Sequence, residues 1–363
     1  MSINHLFETI ELIYNNLEDN LSQSIFENCL LYALTGKQSF IQNIVSSSHK
    51  DAYKDCLTVA NSFFSKTAGD IIYYGAGYIG RGMLCIYDRI KVFCDRDVVK
   101  TSNTFCGHMV ISPEDLINGY KNCIVIITII DINTSNKIIE NLISQGFNKD
   151  NIYHYTDVFN LKTPYLSDLM AEQYFDPEII LPRLSENEVF IDAGCCNCYT
   201  DFQFVRSCNG KYSKILAFEP SPKQYKECLQ KSQDIRDITV YQNGLWNENT
   251  DLYFDDSRTI GGTHITNNID ANSTLIKAVR LDSVLRGDAA TFIKMDIEGA
   301  ELNALKGAEQ TILKHRPKLA ICVYHKPEDI IEIPAYILSL HNDYKLYLRH
   351  YSFWHGETVL YAV

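Results

Sequence analysis

The sequence predicts an α/β protein built from two doubly wound domains behind an N-terminal helical segment. Two observations predict this class. Short β-branched and aromatic runs alternate with helix-period stretches twice along the chain, once from Asp70 and again from Glu188. In the second half nearly every such run ends in a polar residue. That is the pattern of a parallel sheet whose carboxyl ends carry a site.

Residues 1–65 read as helical. Leu6, Ile10, Leu12, Ile13 and Leu17 recur at helical spacing, Ile25, Leu30, Leu31 and Leu34 follow after a polar break, and Gly36 marks a stop. No chemistry is legible there, so a cap or an oligomerisation element is expected. Residues 66–160 form the first α/β unit, with strands at Ile71–Tyr74, Lys91–Cys94 and Ile124–Ile130 and an amphipathic helix over Lys137–Gln145. Residues 161–186 hold Pro164, Pro177 and Pro182 and read as a linker. Residues 187–363 form the second unit. Its strands fall at Val189–Asp192, Lys214–Phe218, Ile238–Gln242, Thr291–Met295 and Lys318–Tyr324, with helices at Gln224–Lys231 and Ala300–Leu313 and a closing hairpin from Tyr344–Arg349 and Thr358–Val363.

Composition removes several classes of function. Of 363 residues, 46% are hydrophobic and 21% charged, an ordinary globular balance. The net charge is −12 and no dense Lys/Arg run occurs, so no nucleic-acid partner is expected. The stretch Cys123–Ile130 falls far short of the roughly 20 residues of a membrane span. The acidic N-terminus lacks the basic region and cleavage site of a secretory signal. A cytoplasmic protein without a membrane partner is expected, its oligomeric state open. The 12 cysteines then read as reduced thiols. Cys195, Cys196 and Cys198 cluster, but there is no second CxxC and no HxxxH pair, so no metal is expected.

The candidate site follows from the strand ends. In order these are Asp192 with Gly194, Glu219, Asn243-Gly244, Asp296 with Glu298, and His325. Any one of them could be a helix cap; the full set on one rim is harder to explain that way. Asp192-Ala193-Gly194 opens a helix after a strand, and Glu219 ends the next strand, where an acid can accept bonds from two ribose hydroxyls. The first loop has no full GxGxxG, and no GxxxxGK[ST] is present. A ligand with ribose but no pyrophosphate fits that gap, and S-adenosylmethionine is one.

The run Phe292-Ile293-Lys294-Met295-Asp296-Ile297-Glu298-Gly299-Ala300-Glu301 resembles the IK-x-D-x-EG-A-E signature of FkbM-type S-adenosylmethionine-dependent methyltransferases. Val189–Gly194, Ala217–Pro220, Val279–Asp282, Val323–Asp329, Tyr347–Tyr351 and Glu357–Val363 resemble further elements of that family in the same order. The resemblance covers about 188–363. It implies S-adenosyl-L-methionine as cofactor and methyl transfer to a hydroxyl of a sugar, glycan or related small molecule. The family loop carries a second glycine where Cys198 stands. Cysteine tolerates left-handed backbone less well than glycine, so a differently shaped loop or a register shifted by one residue is expected.

Asp192, Gly194, Glu219, Asn243 and Asp296 are therefore the expected cofactor contacts. His325 is the first candidate for general base, because histidine titrates near neutrality. Asp296 is the second, as base or as orienter. Glu298 shares that role, or holds a divalent cation with Asp296. Glu301 reads as a first-turn acid favouring the helix dipole. Arg349, His350 and Tyr351 follow a strand and could reach an acceptor, and His264 beside Gly261-Gly262 could belong to a lid. Trp246 lines an adenine pocket or fills the core. In the first unit, Gly75, Gly77 and Gly80 with Asp95 after the next strand match a dinucleotide fingerprint. That unit resembles the short Rossmann-like domains attached to sugar-modifying enzymes. It leaves open an NAD-linked oxidoreductase, a nucleotide-sugar-binding protein and a purely structural role.

Overall fold

The computed structural model describes residues 3–97, 99–101, 103–159, 172–255, 264–265 and 273–363. The chain divides into two compact units. The first helices do not form a body of their own. Met1–Phe26 joins Ala171–Tyr351 and Gly356–Val363, whereas Glu27–Met170 joins Ser352–His355. The reason is contact: the backbone of Leu17 bridges Leu346, and the Asp19 carboxylate pairs with Arg349 at 2.8 Å.

The unit around 27–170 holds strands β1 (Ile71–Tyr74), β2 (Val92–Cys94), β3 (Thr104–Phe105), β4 (His108–Ile111), β5 (Ile124–Ile127) and β6 (Ile152–His154). Their order is β3-β4-β2-β1-β5-β6, with only β3 antiparallel to its neighbour. Every residue of β1, β2 and β5 is buried, as expected of a parallel sheet covered on both faces. The helix after β5 runs Ile132–Ser144, earlier than its apolar period suggests, because Asp131 caps it by accepting the Thr134 N–H at 2.8 Å.

The other unit holds β7 (Val189–Ala193), β8 (Lys214–Phe218), β9 (Ile238–Tyr241), β14 (Phe292–Met295), β15 (Lys318–Cys322), β16 (Leu346–His350) and β17 (Thr358–Ala362). They form one sheet in the order β16-β17-β15-β14-β7-β8-β9. β17 alone runs against the direction of the other six strands. The chain steps outward from β7 to β9, then returns to lay β14 on the other side of β7. That reversal makes the carboxyl ends of β7 and β14 the switch point where ligands bind in such sheets.

Phe190, Phe204 and Phe292 fill the core, and the rings of Phe190 and Phe204 stack at 4.4 Å. The expected linker is part of this core from its second half on: Tyr174, Phe175, Ile179 and Ile180 are buried in it. A small sheet of β10 (Gly244–Leu245), β11 (Thr250–Asp255), β12 (His264–Ile265) and β13 (Ser273–Val279) occupies a region without a clear strand signal. The helix expected over Ala300–Leu313 breaks at Ala308 into Glu301–Gly307 and Glu309–His315. Among the described residues no helix is long and apolar enough to cross a membrane.

Candidate active site

The site is built on the paired ends of β7 and β14. Their register sets Lys294 beside Asp192. Lys294 is a charged residue in an otherwise apolar strand and is almost fully buried. Its ammonium donates to Asp192 Oδ1 at 2.9 Å, to the Gly194 carbonyl at 2.8 Å and to the Ala193 carbonyl at 3.3 Å. All three of its protons are thereby used. Burial works against that charge, but Asp192 and Asp296 keep it firmly protonated. Asp192 thus holds the loop from within, through Lys294.

Gly194 follows with φ +79°, and a Cβ added there would stand 2.0 Å from the carbonyl oxygen of Asp296. Only glycine allows the first loop to pass this close to the end of β14. Cys196 and Cys198 also take left-handed backbone, at φ 51° and 63°. Cys198 thus takes left-handed backbone without being glycine, and it is the residue before the helix Tyr199–Ser207.

Glu219 directly follows β8 and is buried. Its two oxygens accept the Cys196 N–H at 3.0 Å and the Ser221 N–H at 2.8 Å. Desolvation outweighs these bonds and pushes its carboxyl up to about 7. Each oxygen retains one lone pair for a further donor. Asn243 donates to the Lys277 carbonyl at 3.3 Å, so its amide braces the small sheet. Trp246 is half-buried, and its carbonyl oxygen lies 1.9 Å from where a Cβ on Gly307 would stand.

The second cluster lies past β14 and β15. Asp296 Oδ2 accepts the Tyr174 hydroxyl at 2.6 Å. His325 Nε2 lies 3.4 Å from Asp296 Oδ1 and 3.6 Å from Glu298 Oε2, while Nδ1 lies 3.0 Å from Glu301 Oε1. Burial disfavours the imidazolium, but Glu301, Asp296 and Glu298 together raise His325 to about 10. The neutral imidazole that a general base requires is not the form this environment favours. Burial lifts Glu298 to about 7 despite the facing imidazolium. Asp296 is held below the usual carboxylate range: burial opposes this, and His325, Lys294 and the Tyr174 hydroxyl outweigh it. Glu301 is fully buried and accepts the Ile297 N–H at 2.8 Å, so it braces the turn and faces His325 as well as opening its helix. Tyr174, Glu298 and Glu357 all have positive φ, a concentration of strained backbone around one site.

Other expected contacts are placed differently. Arg349 and His350 lie within β16, not beyond it. Arg349 binds Asp19, His350 Nδ1 lies 2.9 Å from Thr358 Oγ1, and the Tyr351 hydroxyl donates to Asp176 at 3.1 Å. Their polar atoms are thus engaged with partners inside the same unit, part-buried for Arg349 and buried for His350 and Tyr351. His264 has a described backbone in β12, but its side chain, like Gly261-Gly262-Thr263, lies outside the described residues. Asp282 accepts from the backbone of Gln310 and Thr311, anchoring the helix Glu309–His315. Sequence reasoning missed Tyr174, Gln173 and Glu357; the Glu357 carboxylate accepts from Gln173 at 2.7 Å and from Tyr324 at 3.3 Å. Nothing in the connector's composition marks Tyr174. Lys294 did carry a signal, as the charge inside a core strand.

Residues 192–353 match the family model of the methyltransferase FkbM domain. The match begins at Asp192, the anchor of the first loop, and includes Glu219, Lys294, Asp296, Glu298, Glu301 and His325. Three solved structures are similar to this chain over part or most of its length. One is the methyltransferase FkbM from Methylobacillus flagellatus, at 20% identity and TM-score 0.49, over 86% of this chain and 99% of that one. The second is Aeropyrum pernix fibrillarin with natively bound S-adenosyl-L-methionine, at 12% identity and TM-score 0.35, over 53% of this chain and 74% of that one. The third is an rRNA methylase from Streptococcus thermophilus, at 17% identity and TM-score 0.33, over 56% of this chain and 96% of that one. A comparison with curated proteins gives no match.

In the first unit the glycines divide their work. Gly75, at φ +125°, turns tightly against Thr128, and a Cβ on Gly80 would stand 2.2 Å from the Gly75 carbonyl oxygen. Gly77 faces open space. Asp95 accepts the Ala76 N–H at 2.8 Å, and Lys100 donates to the Ala76 carbonyl at 2.9 Å. The acid expected on a ribose thus pins its own glycine loop.

Proposed function

We propose that the second unit is an S-adenosylmethionine-dependent methyltransferase acting on a hydroxyl of a sugar, glycan or related small molecule. The observation that carries this reading is the meeting of Gly194 with Asp296. It brings the loop after β7, with Glu219 beside it, against the carboxylate cluster within the segment that matches the FkbM domain. The cradle suits the cofactor: glycine leaves room along the loop, and Glu219 offers acceptor lone pairs to ribose hydroxyls. Asp192 and Lys294 shape the loop, and Asp296 lies beside it. When bound, the cofactor supplies an electrophilic methyl group.

The chain's own residues then position and deprotonate the acceptor. A neutral hydroxyl is a poor nucleophile, and a base with a pKa near the working pH serves it best. In this geometry Glu298, near 7, is the proton acceptor. His325 remains an imidazolium that holds Asp296 and Glu298 in place. Tyr174 fixes the other face of Asp296. Holding the acceptor close and in line supplies much of the acceleration.

The test is transfer of a radiolabelled methyl group to a panel of sugars and hydroxylated small molecules. Label appearing in a hydroxyl ether supports the reading; label in an amine product redirects it; no transfer and no cofactor binding by folded protein rejects it. A second reading, a nucleotide or nucleotide sugar in the first unit, is favoured by the open space at Gly77. Fluorescence transfer from protein to NADH separates a redox role from the rest.

A further inference from the structure

Beneath the first loop lies a cluster that methyl transfer does not use. Cys195 and Cys198 form a C-x-x-C turn, closed by the Cys198 N–H donating to the Cys195 carbonyl at 2.8 Å. Cys228, from the helix Pro222–Lys231, meets them: its sulfur lies 3.5 Å from that of Cys195, and the structure joins it to Cys198 as a disulfide. Asp201, from the helix Tyr199–Ser207, brings a carboxylate into the same space. The three sulfurs and a carboxylate oxygen all lie within 4.8 Å of one another, and all four residues are buried. Neither carboxylate oxygen of Asp201 has a hydrogen-bond partner on another residue, although the residue is fully buried.

We infer that Cys195, Cys198, Cys228 and Asp201 bind one divalent zinc-class cation when the thiols are reduced. A disulfide accounts for two of these four groups. It leaves a third thiol beside it and a fully buried carboxylate with nothing to bind, which is costly in either protonation state. A thiophilic cation engages all four. Structural zinc takes four ligands in a tetrahedron, with thiolate and carboxylate both suitable and a C-x-x-C turn as a common half-site. The sequence lacks a second such pair; the fold supplies Cys228 and Asp201 in its place. On binding, each thiol gives up its proton to solvent and coordinates as thiolate. The ion would tie the loop after β7 to the helix after β8, and so hold Cys196 where its N–H meets Glu219.

The experiment is metal analysis of the full chain purified under reducing conditions without chelator, alongside thiol titration and intact mass. About one zinc per chain is expected, together with a thiolate-to-metal absorption band after exchange with cobalt(II). The Cys228→Ser and Asp201→Asn variants should lose zinc to a chelator more readily, while Cys208→Ser, a buried thiol outside the cluster, keeps it. Should Cys228→Ser not fold, the cobalt band of the unaltered chain carries the test. A metal-free chain whose mass is short of two hydrogens would show the disulfide and overturn the proposal. So would a chain with free thiols that takes up no added zinc, or zinc retained unchanged in Cys228→Ser.

Discussion

Gly194 and Asp296 meet backbone to backbone: a single Cβ on Gly194 would stand 2.0 Å from the Asp296 carbonyl oxygen. The loop after β7 and the residue that carries the Asp296 carboxylate therefore share one close backbone contact. Gly194→Ala must shift one of them and also places a side chain at positive φ. A loss of about 1–3 kcal/mol is expected, seen as a fall of roughly 2–4 °C in Tm for each kcal/mol. Cofactor affinity should fall in the variant that remains folded. Thermal melting with and without ligand measures both.

The Lys294–Asp192 pair is buried at 2.9 Å. Removing one partner leaves an uncompensated charge, a loss of about 3–5 kcal/mol. Lys294→Met should therefore destabilise strongly, and the added Asp192→Asn should recover part of the loss. A double-mutant cycle from denaturant unfolding gives the coupling. Strictly additive losses would contradict the pairing.

On the proposed reading, Glu219→Ala removes both acceptors available to the cofactor and frees the Cys196 and Ser221 N–H groups. Charge-assisted bonds of this kind contribute about 1.5–3 kcal/mol, so the dissociation constant should rise roughly tenfold to a hundredfold. Glu219→Gln should lose less. Equal affinity in wild type and Glu219→Ala would remove this residue from the binding site.

Activity should depend on pH in two limbs. Glu298 is raised to about 7, so kcat/KM should climb as its proton leaves through neutrality. His325 is raised to about 10, so activity should fall as the imidazolium is lost there. His325→Gln should abolish the high-pH limb while cofactor binding persists. Stability follows the same protons. The stabilisation from His325 is complete below its ordinary 6.5 and is lost as pH rises through about 10. Glu298 and Glu219, raised from 4.5 to about 7, bind protons more tightly when folded, so their effect erodes stability as pH climbs between those values.

The sheets were legible because each strand is a short apolar run with a polar end, and the rim residues Gly194, Glu219, Asp296, Glu298 and His325 follow from that pattern. Lys294 stands inside the Phe292–Glu301 motif, but its role depends on the register that sets it beside Asp192. Tyr174 and Glu357 could not be read, because strand ends do not reveal what a distant connector or a hairpin loop lays over them. Arg349, His350 and Tyr351 misled for a related reason: a polar strand end looks alike whether it faces an acceptor or a buried partner such as Asp19 or Asp176. Likewise the expectation of reduced thiols fails at Cys198, which meets its disulfide partner Cys228, with Cys195 beside them, only through the fold.

The measurement that tests the central claim most directly is calorimetric titration of the purified full-length chain with S-adenosylmethionine, with Glu219→Ala in parallel. The account predicts saturable binding at about one site per chain, weakened in the variant. Folded protein that gives no binding heat and no ligand-induced rise in Tm would contradict it.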